Sequence, residues 1–300
     1  MEKKVSKSGK WIEAMRLRTI PVSIAGVMAG TACALILGGF SLIPAIICLL
    51  FAVTAQIASN FGNEYYDFKN GLDKKGRDGF RRGVTEGDIK PEQMKKATFV
   101  TLAIACLIGC VSIIYGGWWM IAVGVAVVIF ALAYSAGPYP LSHHGMGDLA
   151  VVLFFGVVPV MLTCYLQTGS FNGWQITLPV SIAVGLMADN VLIVNNYRDM
   201  DDDKMVGKHT TVVLFGRRFM GIVYLGTGIL AMILMYPIWQ LLPGWVLIIP
   251  AIYLILHIVL WKQIISHRGA ALNPLLGKTA MNLMILCVLL LIATGIESVI

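Results

Sequence analysis

"LIPAIICLLFAVTAQIASNFGNEYYDFKNGLDKKGRDG", residues 42–79, passes from a mostly apolar run into a stretch dense with amides and charges. Residues 42–62 are long enough to cross a bilayer as a helix, which takes about 20 residues. Asn63, Asp67 and Asp73 follow at regular steps where that helix would emerge. Eight more runs read the same way: 20–39, 97–115, 117–135, 148–167, 175–196, 219–241, 244–262 and 276–298. A short amphipathic stretch containing Trp11 precedes them. The expected fold is therefore all-α: a polytopic membrane protein with nine transmembrane helices. Composition agrees. Of 300 residues, 58% are hydrophobic and 13% charged, and a soluble domain carries about 25% charged residues. Mean hydropathy is +0.80. The start, "MEKKVSKSGK", is too polar for a cleavable signal.

Charge placement orients the chain. Of 23 Lys and Arg, 20 fall within residues 1–18, 64–96 and 197–218, and so do 13 of the 16 Asp and Glu. With nine spans, the N-terminus and the connections after spans 2, 4, 6 and 8 share one side, which holds nearly every basic residue. The positive-inside rule makes that side cytoplasmic. The net charge of +7 is thus explained by topology, and the interleaved acids exclude nucleic acid as a partner. All six cysteines (33, 48, 106, 110, 164 and 287) lie inside apolar runs, with no CxxC or Cys/His pattern, and read as packing residues.

A second polar stretch, "VNNYRDMDDDKMVGKHTT" (194–211), follows span 6. Asn195, Asp199 and Asp203 stand there at i, i+4 and i+8, one stripe of a helix. Asn63 and Asp67 share that spacing, and Asp73 comes after a break at Gly71. Four spans separate the two motifs (60–83 and 195–211), which suggests one domain, 1–300, built from two similar halves. Clustered carboxylates repel one another unless a cation neutralises them. Oxygen donors of this kind suit Mg²⁺, which keeps waters and bridges carboxylates to phosphate. Two clusters imply a multiply charged ligand such as a diphosphate. Arg77, Arg81, Arg82, Arg198 and Lys208 are at hand to balance it. The alternative is that these are ordinary solvated loops, a reading that suits Asp201, Asp202, Lys74 and Lys75 best.

Other polar residues are less committed. Asp189 lies inside span 6, where a carboxylate is costly, and either meets an acceptor hydroxyl or pairs with a buried polar group such as Asn190. "YSAGPYPLSHHGMGD" (134–148) is an ordered non-helical loop on the cytoplasmic side, with Tyr134, Tyr139, His143, His144 and Asp148 placed to cap a cavity. Arg16 and Arg18 are either membrane-surface anchors or phosphate contacts. His257 reads as a packing histidine.

With these motifs placed, the chain resembles the UbiA-type family of intramembrane aromatic prenyltransferases, which have nine transmembrane helices and two Asp-rich motifs after helices 2 and 6. The second motif matches fully; in the first, the last Asp arrives two residues late, at Asp73. "NEYYDF" with "RDGFRRG", "NNYRDMDDDKMVGKHTTVVLFG", "YSAGPYPLSHHGMGD" and "LRTIPVSIAGVMAGTA" resemble the branch that uses 1,4-dihydroxy-2-naphthoate in menaquinone synthesis. The likeness covers residues 11 to 296. It implies helices around a central cavity. It also implies transfer of a polyprenyl group from polyprenyl diphosphate, with loss of CO₂ and diphosphate, to give demethylmenaquinol. Asn63, Asp67, Asp73, Asn195, Asp199 and Asp203 would hold Mg²⁺, with the four aspartates catalytic. Arg77, Arg81, Arg198 and Lys208 would contact diphosphate, and Tyr134, Asp148 and Asp189 the acceptor. The enzyme would sit in the cytoplasmic (inner) membrane, its active-site loops cytoplasmic and its lipid substrates in the bilayer. Acceptors left open are 4-hydroxybenzoate and homogentisate. A transporter is the non-enzyme rival, and it would place ionisable groups near the midplane rather than at one lip.

Overall fold

The computed structural model describes residues 7–76 and 78–299, which contain helices, turns and loops but no strand. The amphipathic α1 (Lys7–Met15) lies first. Then come α2 (Ile20–Ile36), α3 (Leu42–Lys69), α4 (Pro91–Val111), α5 (Met120–Ala133) and α6 (Gly147–Thr168). The chain continues through α7 (Trp174–Met205), α8 (Thr211–Leu234), α9 (Ile248–Ser266) and α10 (Asn273–Glu297). Among the described residues, eight stretches are long and apolar enough to cross a membrane; the first, Gly9–Ile36, takes in most of α1, and α5 falls in none of them. The chain is an integral membrane protein.

The expected fourth span is the short one. α5 has 14 residues, about 21 Å at 1.5 Å each, against a hydrocarbon core of about 30 Å. Gly117, at φ +83°, ends the preceding helical turn, and the exposed Trp118 and Trp119 follow before α5 begins. α3 and α7 depart in the other direction. Hydropathy ends them near 62 and 196, yet their backbone ladders continue to Lys69 and Met205. Both polar motifs therefore begin on rigid helix rather than in loops. α4 starts early, at Pro91, because a proline suits the first turn, and Lys90 and Gln93 form a capping box there.

The buried core joins α2, α6, α7, α8, α9 and α10, with α2 and α7 at its centre. α6 and α7 cross with almost no space between backbones. A Cβ added at Gly156 would lie 2.4 Å from the Gly185 Cα, and one at Gly185 would lie 2.6 Å from the Val152 carbonyl oxygen. α3 and α4 have only 17% of their apolar windows buried, against 67% for α7. They face lipid on one side and a cavity on the other. Trp11 of α1 packs edge-on against Phe61 of α3, ring centroids 5.7 Å apart, fixing the amphipathic segment to the bundle.

Candidate active site

α3 presents Gln56, Asn60, Asn63 and Asp67 on one stripe, by helical spacing, before it ends. Gly71 takes φ +70°, and the Leu72 N–H donates to the Asp67 carbonyl at 2.9 Å, closing the helix. α7 continues unbroken, so Asn195, Asp199 and Asp203 stack along a single stripe. Both stripes line one cavity of about 190 Å³. Asp73, beyond the Gly71 turn, is not in its wall; its carboxylate lies 3.5 Å from Nε of Arg82, which is.

Cations meet the carboxylates across this cavity. Gly207, at φ +76°, turns the chain back after α7, and Lys208 reaches in. Its ammonium is 3.4 Å from the Asp67 carboxylate and 3.9 Å from that of Asp203, so it bridges the two motifs. His143 Nε2 lies 3.4 Å from the other Asp67 oxygen. Arg198 grips Asp199 with Nε and Nη2, each at 2.7 Å, and donates to Asn195 at 2.8 Å and Asn273 at 3.0 Å. That buried guanidinium stands behind the wall rather than in it. Arg81 pairs with Asp88 and Glu13, away from the cavity. Arg77 lies outside the described residues. Arg16 lines the cavity, and it is the one non-glycine among the described residues with positive φ, +50°. Arg18 stacks on Phe80, its guanidinium carbon 3.1 Å from the ring centroid.

The connection after α3 is fastened over the site. Glu64 accepts the Val84 N–H at 3.0 Å. The Asp78 N–H donates to Asp202 at 3.3 Å, and Asn273 donates to the Asp78 carbonyl at 3.2 Å. Phe80 sits between Arg18 and Arg198, the latter 5.1 Å from its ring centre. The first polar loop is thereby bonded to the second motif and to α10. Sequence reading also passed over Gln56 and Asn60. Gln56 accepts from Ser23 and donates to Thr19, while Asn60 donates to the Met15 carbonyl. Their spacing, seven and three residues upstream of Asn63, is the signal that places them on the same helical face.

Of the acceptor candidates, Tyr134 and Asp148 line the cavity and Asp189 does not, although its neighbours Ala188 and Val191 do. Asp148 accepts from Thr211 at 2.9 Å. One carboxylate oxygen of Asp189 is buried without a hydrogen-bond partner. Burial first, then the charges of Asp148, Asp189 and Asp67, push the Tyr134 phenol well above its ordinary range, so it remains a donor. His257 is the packing histidine expected, stacked on Tyr224 and bonded to its carbonyl at 3.0 Å.

Beneath the polar cavity lies an apolar one of about 450 Å³, enclosed by α2 to α6. Gln56, Ser59, Tyr134, Val151 and Phe155 line both, so the two join. Ile113, Met120 and Leu166 stand at the end remote from Tyr134.

The donors around the polar cavity, Asn63, Asp67, Asn195, Asp199 and Asp203, are all oxygen ligands, which suits a hard cation. Among the described residues, no three His, Cys, Asp or Glu side chains cluster closely enough to cage an ion.

Fold and site together define an integral membrane protein whose internal site is charged at one end and apolar at the other. The chain belongs to the UbiA prenyltransferase family, whose pattern it matches over residues 23–284. It is 32% identical to 1,4-dihydroxy-2-naphthoate octaprenyltransferase of Escherichia coli, over 93% of this chain and 92% of that one. It is 34% identical to the protein of the same name from Mycobacterium tuberculosis, over 75% and 78%. A UbiA homologue from Archaeoglobus fulgidus, bound to GPP and Mg²⁺, has the same fold. It superposes with TM-score 0.68 at 17% identity, covering 97% of this chain and 100% of that one.

Proposed function

We propose that this chain transfers a polyprenyl group from polyprenyl diphosphate to 1,4-dihydroxy-2-naphthoate, releasing CO₂ and diphosphate and giving demethylmenaquinol. The reading rests on one observation above all. Two carboxylate–amide stripes and Lys208 converge on a polar cavity that opens directly into an apolar one. A diphosphate with a hydrocarbon tail has that division of character. The names of the relatives select the naphthoate acceptor.

In this reading the diphosphate lies between the stripes of α3 and α7. Asn63, Asp67, Asn195, Asp199 and Asp203, with Asp73 nearby, hold Mg²⁺. Bound there, the ion would stabilise charge growing on the departing diphosphate. Lys208, Arg82 and Arg16 face the same charge, while Arg198 holds Asp199 and Asn195 in place. As the C1–O bond of the donor breaks, the apolar wall keeps water from the allylic cation. The ring carbon that carries the carboxylate bonds to C1, and its bond to the carboxylate breaks, releasing CO₂ and returning the electron pair to the ring. Tyr134 and Asp148 stand where the cavities join, placed to orient the acceptor's hydroxyls; Asp189 supports them from behind. Each CH₂ of the tail gains roughly 0.8 kcal/mol on leaving water, so the long donor is held in lipid and in the apolar cavity rather than in water. The chain acts as one domain, 1–300, each half bringing one stripe. The site opens to the cytoplasmic side of the inner membrane, where the basic residues are.

Purified protein would be given polyprenyl diphosphate with 1,4-dihydroxy-2-naphthoate or 4-hydroxybenzoate, with and without Mg²⁺, and the products read by mass spectrometry. A decarboxylated prenyl naphthoquinol that requires Mg²⁺ is the expected result; product from 4-hydroxybenzoate alone would reassign the acceptor. Asp67→Ala and Asp199→Ala should each reduce transfer by at least about 100-fold while the protein still elutes as a folded species. Near-normal turnover in either variant would remove the metal assignment.

A further inference from the structure

The glycines of the bundle fall into two sorts. At Gly26, Gly30, Gly156 and Gly185 an added Cβ would come within 3.0 Å of another helix's backbone, so packing requires them. At Gly124, in the second turn of α5, an added Cβ meets nothing within 4 Å. Its backbone is ordinary helix, a setting in which glycine is less stable than alanine. Neither packing nor conformation accounts for it. Gly226, Gly277 and Gly295 are equally uncrowded but line neither cavity, and Gly109 lines the apolar one but would touch Phe51 at 3.2 Å. Among the described residues, Gly124 alone is a helical glycine that both faces a cavity and has empty space where its side chain would be.

Its position gives that space a meaning. Gly124 is ten residues from Tyr134, about 15 Å along α5, and one turn from Met120 at the far end. The main chain of a geranyl tail, eight carbons and roughly 10 Å at ordinary bond lengths, ends before it. Longer tails must pass it.

We propose that Gly124 sets the bore of the apolar cavity and so the length of prenyl tail this chain accepts. The proposal rests on the reading that this cavity holds the donor's tail. Side chains at 124 would project into the passage and obstruct units beyond the second or third, leaving the diphosphate end undisturbed.

The test compares octaprenyl with geranyl diphosphate, each with 1,4-dihydroxy-2-naphthoate, in wild type, Gly124→Ala, Gly124→Leu and Gly124→Trp. The readout is the ratio of long-donor to short-donor turnover. That ratio should fall with side-chain size, by at least about tenfold in Gly124→Leu and further in Gly124→Trp. An unchanged ratio, or equal loss with both donors, overturns the proposal. Thermal protection of each protein by the two donors, without acceptor, reads the same selectivity without chemistry. If wild type makes no product yet octaprenyl diphosphate protects it and not Gly124→Trp, the activity assignment fails and the bore stands. If the long donor protects both equally, the bore is refuted whatever the activity.

Discussion

Lys208 is the residue on which the polar cavity's electrostatics turn. Its ammonium holds together carboxylates from α3 and α7 that would otherwise repel, and in the proposed reaction it faces the leaving diphosphate. Lys208→Met should lower turnover by about 100-fold, the usual cost of losing one preorganised charge partner, while Lys208→Arg keeps part of it. A steady-state comparison decides this, and a loss under about threefold in Lys208→Met would relegate the lysine to structure. Tyr134 makes a different prediction. Its phenol is pushed up, so the neutral, donating form persists through the alkaline range in which a free tyrosine ionises. The defect of Tyr134→Phe relative to wild type should therefore be the same at pH 7 and near pH 10. A defect that vanishes by pH 10 would mean that the wild-type phenol had ionised and ceased to donate. Spacing alone picked out Asn63, Asp67, Asn195, Asp199 and Asp203, which line the cavity; Asp73, out of that register, does not. The partners were not legible: nothing near position 198 says that Arg198 bonds Asp199, Asn195 and Asn273 at once, because Asn273 arrives from 75 residues away.

At the scale of elements, the decisive contact is the α6–α7 crossing. Gly156 and Gly185 bring the backbones together, and this places Asp148 at the head of α6 beside the stripe of α7. Gly156→Val would force its side chain into the Gly185 backbone, which cannot rotate away as a side chain would. A loss of about 3 kcal/mol or more is expected, seen as a lower melting temperature in detergent and reduced transfer. An unchanged melting temperature would mean that the crossing is looser than described. Element lengths were partly legible. Hydropathy located every span but ended α3 and α7 at the membrane surface. Helical hydrogen bonding does not stop where apolarity does, and so the motifs' i, i+4 spacing was the better guide to where those helices end.

Taken whole, the molecule is asymmetric across the membrane, with its basic residues and polar cavity on one side. An exposed site on the connection after α3 should therefore be cytoplasmic, and one between α6 and α7 external. A membrane-impermeant maleimide should label Asn172→Cys in right-side-out vesicles and Lys74→Cys only after they are opened. The reverse pattern would invert the topology and move the active site to the other face.

Composition and periodicity determined that this chain spans a membrane with helices, and they singled out the two polar motifs on which the proposed orientation and site rest. These are local properties, set by transfer of apolar side chains into lipid and by the helical repeat. Only the tertiary structure decided that the two motifs share one cavity, that Lys208 lies between them and Arg198 behind them, and that an apolar channel leads away past Gly124. Each of those depends on how helices distant in sequence pack against one another, and packing is set by shape, which spacing along one chain does not encode.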